Sequence, residues 1–484
     1  MLSENLLLLC SILVFIAVFV TKVGSRFGVP SLFLFLILGM IVGVDGMGLH
    51  FASYENAESI GHFAMTIILF TAGLETSMAE TRPVFRHGIL LSTLGVLLMV
   101  LLTGSFIFLI LGKLEGVTLI GCFLLAAVMG STDSASVFSV LRSKRLHLRE
   151  NLAPMLELES GSNDPIAYTL TIILAQLAST PEVLSGNGGH AILSAAGLFL
   201  LQMAVGVAVG VAVGHGAKWV LDHVRFPGFA LTSILILSIG FFANGLASVL
   251  HGNGLLALYI AAIIIGNKAR LQQRKDILNF FDGLTWLMQL LMFLMLGLLA
   301  RPTQMLPILL PALLIGLFMV FFARPASVLV SLLPFRKMSL RAKLFTSWVG
   351  LKGAGPILFA LYPVVKGLEG SDLMFNLVFL ITFFSLLVQG TSLSTVARWL
   401  NLSYDEDPKA ETFGMDIPEE MGLMRDHIVA AEDLMNGSTL RDLHLPHGIR
   451  VMMVRRDGRF LVPHGSMQLL EGDHLVIIMG ESDD

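Results

Sequence analysis

The segments GSTDSAS (residues 130–136) and LELESGSNDP (residues 156–165) place ionisable side chains inside stretches that are otherwise apolar enough to lie in a lipid bilayer. Four of these side chains offer a carboxylate or a coordinating hydroxyl group: Asp133, Glu159, Ser160 and Asp164. A carboxylate in hydrocarbon is costly, and it is retained where it carries an ion, a proton or a structural partner. The two segments therefore locate the candidate functional site.

The composition is typical of a membrane protein. The chain of 484 residues is 55% hydrophobic and only 14% charged, whereas about 25% of the residues in an average soluble domain are charged. Apolar runs of about 20 residues recur along the chain and predict about 13 membrane-spanning helices. Both cysteines lie in apolar runs, so the sequence predicts no disulfide framework.

Charge divides the chain into two parts. From Tyr404 onward the sequence holds 7 Lys and Arg against 17 Asp and Glu, whereas the preceding part holds 24 against 18. We expect an all-α transmembrane domain at residues 1–400, an acidic linker at 401–411 and a small α+β domain at 412–484. The acidic tail argues against nucleic acid as a partner.

Basic residues between the predicted helices fix an expected orientation in the lipid membrane. Alternate loops on one side hold nineteen Lys and Arg residues, whereas the opposite side holds only Lys113, Arg301 and Lys366. Loops rich in Lys and Arg stay in the cytoplasm. We therefore expect the N-terminus outside, the C-terminal domain in the cytoplasm and an odd number of spans.

Two of the predicted helices contain interruptions. GSTDSAS in the span 116–141 and GLKGAGP (residues 350–356) in the span 341–364 are rich in residues that weaken helices. They lie seven spans apart in corresponding places, which predicts inverted repeats with helices broken around a transport site. At the broken ends, Asp133 would offset positive helix N-termini and Lys352 would offset negative C-termini.

The helix that carries ESGSNDP is expected to supply the ion-binding carboxylate. Residues four apart share a helix face, so Asp164 stacks on Ser160, and Asn163 stacks on Glu159. Carboxylate and hydroxyl oxygens, with backbone carbonyls near Thr132, suit Na⁺ or K⁺. One carboxylate that binds either a proton or a cation gives exchange by competition. The neighbouring Asn163 is an amide and cannot carry an additional proton, which favours electroneutral exchange. The candidate ion- and proton-binding residues are Asp164, Ser160, Thr132, Asp133 and Asn163.

Glu159 requires a different role, since its charge would otherwise be buried without a partner. Arg324 lies well inside the apolar run FMVFFARPASVLV and is the best available cation. A buried pair of this kind orients helices, and the loss of one partner leaves an unpaired charge. We therefore expect a structural ion pair between Glu159 and Arg324.

At this point several motifs, in order, indicate a family. GSTDSASV, ESGSNDP and GLKGAGP resemble the cation/proton antiporter superfamily, in particular its NhaP-like branch with an Asn-Asp pair. LFTAGLET (residues 69–76) is similar to a further segment of that superfamily. NFFDGLTWLMQLLMFLMLGLL (residues 279–299) is similar to bacterial potassium/proton antiporters. The resemblance spans the whole predicted membrane domain.

The resemblance implies a thirteen-helix fold with core and dimerisation domains, acting as a homodimer in the bacterial inner membrane by an elevator-like movement. Asp164 would then bind the cation and the proton. Ser160, Thr132 and Asp133 would contribute ligands, directly or through water. Lys352 stands where this family usually has arginine, so the charge is kept while the planar fork of the guanidinium group is lost.

The acidic tail has its own pattern. GIRVMMVRRDGRFLVP (residues 448–463) predicts a hairpin that turns at Asp457-Gly458, GDHLVIIMG (472–480) predicts a third strand, and STLRDLHL (438–445) predicts a short helix. This order resembles the C-terminal subdomain of potassium-conductance regulators, the TrkA-C type. The resemblance implies regulation by a small ligand, which in this family includes a cyclic dinucleotide, or by rearrangement of the dimer. The sequence fixes no such ligand, and a domain that only stabilises the dimer is an equal alternative.

Three classes of function remain open at this stage. An antiporter that exchanges K⁺ or Na⁺ for H⁺ explains all of these features and needs no cofactor; the tail type and the similarity around Asp282 favour K⁺. A tail-regulated cation channel would require a repeated filter loop. An intramembrane aspartyl protease could use Asp133 and Asp164 as a dyad, but it would leave Ser160 and Asn163 unexplained.

Overall fold

The computed structural model describes most of the chain in two compact units, Met1–Tyr404 and Asp405–Asp484. The described residues are 4–27, 30–49, 53–112, 118–144, 146–180, 189–224, 228–405, 424–434, 437–442, 449–456 and 459–479.

Helices make up nearly all of the first unit. Among its described residues there are fifteen, of which α4 and α12 each contain a short 3₁₀ turn and a five-residue π turn. Their bounds are α1 (Glu4–Phe27), α2 (Ser31–Val42), α3 (Tyr54–Glu75), α4 (Met78–Leu111), α5 (Leu119–Val128), α6 (Ser134–Ser143), α7 (Leu152–Ala178), α8 (Gly189–His223), α9 (Phe229–Val249), α10 (Gly254–Lys268), α11 (Arg274–Leu299), α12 (Pro302–Ser331), α13 (Leu340–Trp348), α14 (Ala354–Val365) and α15 (Ser371–Trp399).

Seven of these helices are long and apolar enough to cross a membrane: α3, α4, α8, α9, α11, α12 and α15. Several present large apolar side chains on the outside of the unit, such as Leu193, Leu200 and Phe322. In lipid, outward-facing apolar side chains carry no penalty, and helices satisfy their own backbone hydrogen bonds. The protein is therefore a multi-pass membrane protein, while the number of thirteen spans and the inverted repeats stay predictions.

Both interruptions predicted from the sequence are present. Residues 129–133 separate α5 from α6, and residues 349–353 separate α13 from α14. The two interruptions contact each other, because the Asp133 amide donates a 2.9 Å hydrogen bond to the Leu351 carbonyl. This crossing pairs backbone groups that the broken helices leave free.

Helix α7 lies among the interrupted helices and carries the ESGSNDP segment. It packs against α5, α10 and α14, and most of its residues between Leu152 and Leu177 are buried. Pro165 within this helix lacks an amide hydrogen and so leaves the carbonyl of Gly161 without its usual helical donor. This carbonyl lies one turn from Asp164.

The second unit contains a four-stranded antiparallel sheet. Its strands are β3 (Met424–Ile428), β4 (Ile449–Arg456), β5 (Arg459–Leu461) and β6 (His474–Met479), and they lie in the order β3-β6-β4-β5. The two strands of the predicted hairpin pair from Val454 opposite Leu461 to Arg456 opposite Arg459, while their turn at residues 457–458 lies outside the described residues. The third predicted strand, β6, pairs with both β3 and β4. A separate two-stranded sheet is formed by the short strands β1 (Leu146–Leu148) and β2 (Ser403–Asp405).

The short helix predicted at residues 438–445 is wrong for the part that the structure describes. Residues 438–442 form a turn and a bridge to Gln468 instead, and residues 443–445 lie outside the described residues. A helix would pair the Ser438 carbonyl with the Asp442 amide, but this carbonyl accepts from the Leu469 amide and the Asp442 amide donates to the Thr439 carbonyl. The described part of this unit thus holds strands and a 3₁₀ turn at Ala431–Leu434.

An ion pair stabilises this sheet. The Arg456 guanidinium donates to both carboxylate oxygens of Asp473, at 2.9 and 2.7 Å, and Asp473 is 2% exposed. Burial alone would raise the pKa of Asp473, but the Arg456 hydrogen bonds, the Leu470 amide and the Arg456 charge bring it below its ordinary value. The charged pair is therefore present at neutral pH, and its contribution to stability is lost as the pH falls through the lowered pKa.

We expect Arg456→Ala to destabilise the tail sheet by about 1–3 kcal/mol, because a buried carboxylate loses its charged partner. Amide hydrogen exchange of β6 in the full-length protein measures this loss, with exposed Arg441→Ala as the control. Protection of β6 should also fall on acidification in the unmodified protein. Protection that is unchanged by Arg456→Ala at neutral pH would contradict this role of the pair.

Candidate functional site

A cavity of about 80 Å³ lies where the two interruptions meet α7. Four of the predicted ion-binding residues line it, and Asn163 contacts one of them from behind. Helices α3 and α11 close the opposite wall with apolar side chains that include Met65 and Phe293. We call this space the site cavity; the predicted residues that line it are Thr132, Asp133, Ser160 and Asp164.

Asp164 is half-buried and faces the site cavity. The Ser131 hydroxyl donates a hydrogen bond to Asp164 Oδ1. The carbonyl of the same serine accepts a 2.8 Å hydrogen bond from Lys352 Nζ, and Lys352 is only 3% exposed. Ser131 thus connects the carboxylate of α7 to the lysine of the second interruption. The lysine contacts a carbonyl three residues beyond the C-terminal end of α5, the end at which the helix dipole is negative.

Thr132 is held by the polar side chains of α7. Its carbonyl accepts a 2.7 Å hydrogen bond from the Ser160 hydroxyl, which in turn accepts from the Ser134 amide. Its hydroxyl oxygen accepts a 2.6 Å hydrogen bond from the Asn163 amide, which is completely buried. Ser160 and Asn163 therefore fix the interruption against α7. The Thr132 carbonyl oxygen, which accepts from Ser160, retains a second lone pair.

Asp133 caps helix α6. Its carboxylate accepts hydrogen bonds from the Ser136 amide at 3.1 Å and from the Ser136 hydroxyl at 2.5 Å. A carboxylate at this position complements the positive helix N-terminus. Gly353 is required opposite it, because a Cβ atom there would lie 2.6 Å from Cβ and Cγ of Asp133.

Glu159 and Arg324 meet on the side of α7 that faces away from the site cavity. Arg324 Nη1 lies 2.6 Å from Glu159 Oε1, and the two side chains are 4% and 1% exposed. Arg324 directly follows the π turn Met319–Ala323 of α12, a local widening that is frequent at functional positions. Its guanidinium packs on Gly350, where a Cβ atom would lie 2.9 Å from Nε.

The donors around the site cavity are hard oxygens: carboxylate, hydroxyl and carbonyl groups. Such ligands suit alkali cations rather than soft transition metals. Among the described residues, no group of three or more His, Cys, Asp and Glu side chains could hold a metal ion. The arrangement is thus chemically able to bind a monovalent cation beside one carboxylate that can also take a proton.

Sequence reasoning missed Ser131 and Asn253. Asn253 caps α10 and donates to the Pro165 carbonyl at 2.8 Å and to the Thr169 hydroxyl at 2.6 Å. The signal for Ser131 was its place in the interruption, next to Thr132. Nothing in the sequence indicates that Asn253 contacts α7, since the two segments are far apart in the chain.

Comparison with known proteins identifies the family. Residues 11–399 match the family described as sodium/hydrogen exchanger, transmembrane. The chain belongs to the sodium/hydrogen exchanger family. Residues 424–483 match the TrkA-C domain, so the resemblances drawn from the motifs of both parts are confirmed.

Several curated relatives resemble most of the chain. The K⁺/H⁺ antiporter NhaP2 of Shewanella oneidensis is 37% identical over 482 residues, 98% of this chain and 81% of the relative. The K⁺/H⁺ antiporter NhaP of Alkalimonas amylolytica is 36% identical over 99% of this chain and 81% of its own length. A probable Na⁺/H⁺ antiporter of Methanocaldococcus jannaschii is 26% identical over 70% of this chain and 80% of its own length.

A solved structure has the same fold. The sodium proton antiporter MjNhaP1 from Methanocaldococcus jannaschii superposes with a TM-score of 0.68 at 20% identity, over 81% of this chain and 97% of that one. Members of the sodium/hydrogen exchanger family are cation/proton antiporters, which are transporters and not enzymes. The protease alternative is thereby excluded.

Proposed function

We propose that the protein exchanges K⁺ for H⁺ across the membrane by competition at Asp164. The observation that carries the proposal is the position of this carboxylate, in a cavity between two crossed helix interruptions and hydrogen-bonded to Ser131. Proton and cation would occupy the same oxygen atoms, so binding of one excludes the other. Movement of the loaded site from one side to the other then couples the two fluxes.

The ligands of the cation would be Asp164, Ser160 and the Thr132 carbonyl, with Asp133 acting through water. Asp133 already accepts hydrogen bonds as the cap of α6, and the Ser160 hydroxyl already donates to the Thr132 carbonyl. Cation binding would therefore draw on their remaining lone pairs rather than break these bonds. Asn163 would hold Thr132 in place without titrating.

The preference for K⁺ rests on relatives and not on the geometry of the site. Antiporters named for K⁺ are 36–37% identical over nearly the whole chain, whereas the archaeal protein named for Na⁺ is 26% identical. The test is dequenching of a pH-sensitive dye in everted membrane vesicles, with K⁺, Na⁺ and Li⁺ added separately. A response to Na⁺ or Li⁺ but not to K⁺ would contradict the proposed cation.

We expect electroneutral exchange, because the residue next to Asp164 is the amide Asn163, which cannot carry an additional proton. Moving one charge across the membrane is worth about 2.3 kcal/mol per 100 mV, so unequal charge exchange would respond strongly to voltage. We expect the exchange rate in proteoliposomes to stay unchanged when a potential is imposed with a gradient of thiocyanate, a permeant anion. A rate that follows the imposed potential would contradict one-for-one exchange.

The remaining proposals concern assembly. The protein would act as a homodimer in the bacterial inner membrane, with its N-terminus outside and the TrkA-C domain in the cytoplasm. Nineteen basic residues in alternate loops support this orientation. The tail would regulate exchange, and a nucleotide is one candidate for its ligand. Cross-linking of full-length protein in membranes tests the dimer, and a chain that remains monomeric there would contradict it.

A further inference from the structure

A second cavity adjoins the site cavity. It has a volume of about 250 Å³, about three times that of the site cavity, and the two share a wall that contains Ala72, Ser134 and Gln289. Its other polar lining residues lie toward the ends of α3, α6 and α7 and on the first half of α11. We call this space the antechamber; its charged residues are Glu75, Arg142, Glu157 and Asp282.

The charges of the antechamber favour cations. Three carboxylates face one guanidinium group, and Glu75 lies within electrostatic range of all the others. Glu75 and Asp282 are exposed, and Glu157 is half-buried, so water reaches them. A cavity lined with an excess of one charge concentrates ions of the opposite charge.

Gln289 is the unexplained group between the two cavities. It is 8% exposed, lines both of them, and has no side-chain hydrogen-bond partner among the residues that the structure describes. A nearly buried amide that pairs with no protein group costs free energy unless something in the adjoining space satisfies it. Because the amide faces both cavities, its partner would be something that occupies them.

A polar stripe on α11 leads from the antechamber to this amide. Asp282, Thr285 and Gln289 lie three and four residues apart, so they share one face of an otherwise apolar helix. Thr285 is fixed by a 2.9 Å hydrogen bond to Thr71 of α3. The stripe thus runs from an exposed carboxylate, past a fixed hydroxyl, to a buried amide that borders the cavity of Asp164.

We propose that the antechamber is a second, weaker binding site for the transported monovalent cation, and that the Gln289 side-chain oxygen is the ligand that the ion contacts on its way to Asp164. The inference rests on the proposed exchange function. The larger cavity lets the ion keep more of its water, and the amide oxygen replaces part of that water at the narrower entrance. Successive weak sites allow an ion both to enter and to leave.

Cation binding by purified full-length protein tests the second site apart from transport. In an Asp164→Asn background, radioactive Rb⁺ and, separately, radioactive Na⁺ are titrated as probes. We expect saturable binding to remain, and we expect Gln289→Leu or Asp282→Asn, added singly, to weaken it about tenfold, as for the loss of one good ligand. Gln304→Leu, at an exposed position of α12, is the matched control and should leave the affinity unchanged.

Two outcomes would overturn the inference. One is the absence of saturable binding of either ion to Asp164→Asn, and the other is binding that neither Gln289→Leu nor Asp282→Asn weakens. Asp282 is exposed, so Asp282→Asn should fold normally and keeps the test valid even if Gln289→Leu unfolds the protein. Exchange activity retained by Asp164→Asn would instead refute the proposed function, so the two failures are distinguishable.

Discussion

Asp164→Asn is expected to abolish cation-dependent proton movement in everted vesicles. The amide keeps the shape of the side chain and can still accept a hydrogen bond from Ser131, but it can neither take up a proton nor balance the charge of a cation. Since competition at this carboxylate is the proposed mechanism, no residual exchange is expected at any pH. The measurement is dequenching of a pH-sensitive dye on addition of K⁺.

The control for this variant is Asp372→Asn, an exposed aspartate in the first turn of α15. This variant also removes one negative charge, but from a helix N-terminus, where the loss should lower the stability by about 0.3–1 kcal/mol. It should leave exchange intact. Size-exclusion profiles should be the same for both variants and the unmodified protein. Exchange retained by folded Asp164→Asn would refute the assignment of the site.

Arg324→Ala is expected to reduce stability as well as transport. The guanidinium and Glu159 are both nearly inaccessible, so the substitution leaves a buried carboxylate without its partner, at a cost of about 3–5 kcal/mol. Glu159→Gln should be destabilising in the same sense, because it leaves the arginine charge unpaired. The measurement is thermal unfolding in detergent, followed by intrinsic fluorescence, beside the vesicle assay.

A double variant separates the ion pair from simple loss of packing. Glu159→Leu combined with Arg324→Met replaces both charges with apolar groups. The double variant should be more stable than Glu159→Leu alone or Arg324→Met alone, since no unpaired charge remains. Arg336→Ala, at an exposed position, is the control for loss of an arginine. A well-folded, fully active Arg324→Ala would remove the pair from the account.

The polar residues of the bundle were predictable where a charge coincided with helix-weakening neighbours. Asp133 and Lys352 marked two interruptions because carboxylates and amines are rare in apolar segments that also lack helix formers. The contacts that join these interruptions were not predictable. The bond from Asp133 to the Leu351 carbonyl links backbone groups about 220 residues apart in the chain, and no side-chain pattern records it.

Neutral polar side chains were harder to interpret. Ser131 resembles the other small residues of its segment, and only the fold reveals that it connects Asp164 with Lys352. Gln289 lies in a run of apolar residues, and its spacing from Asp282 gives a signal only once the facing cavity is known. A serine or glutamine in a membrane helix can pack, cap or bind, and the sequence does not distinguish these roles.

The tail shows the same division between local and non-local information. Its strands β4 and β6 follow from β-branched and apolar runs. The segment after Gly437 carries helix-forming residues and was predicted as a helix, yet its backbone pairs with residues 465–469. That pairing depends on a distant loop, and Asp442 also accepts hydrogen bonds from Thr439, an alternative to helical bonding.

Competition between proton and cation is the central claim, and the most direct test is a cation titration of exchange in proteoliposomes at a series of pH values. If both ions use Asp164, protons compete with K⁺ once the pH is low enough to protonate this carboxylate. In that range the half-saturating K⁺ concentration should rise by about tenfold for each pH unit of acidification, while the maximal rate at saturating K⁺ stays constant. A maximal rate that falls with acidification at an unchanged half-saturating concentration would contradict the claim.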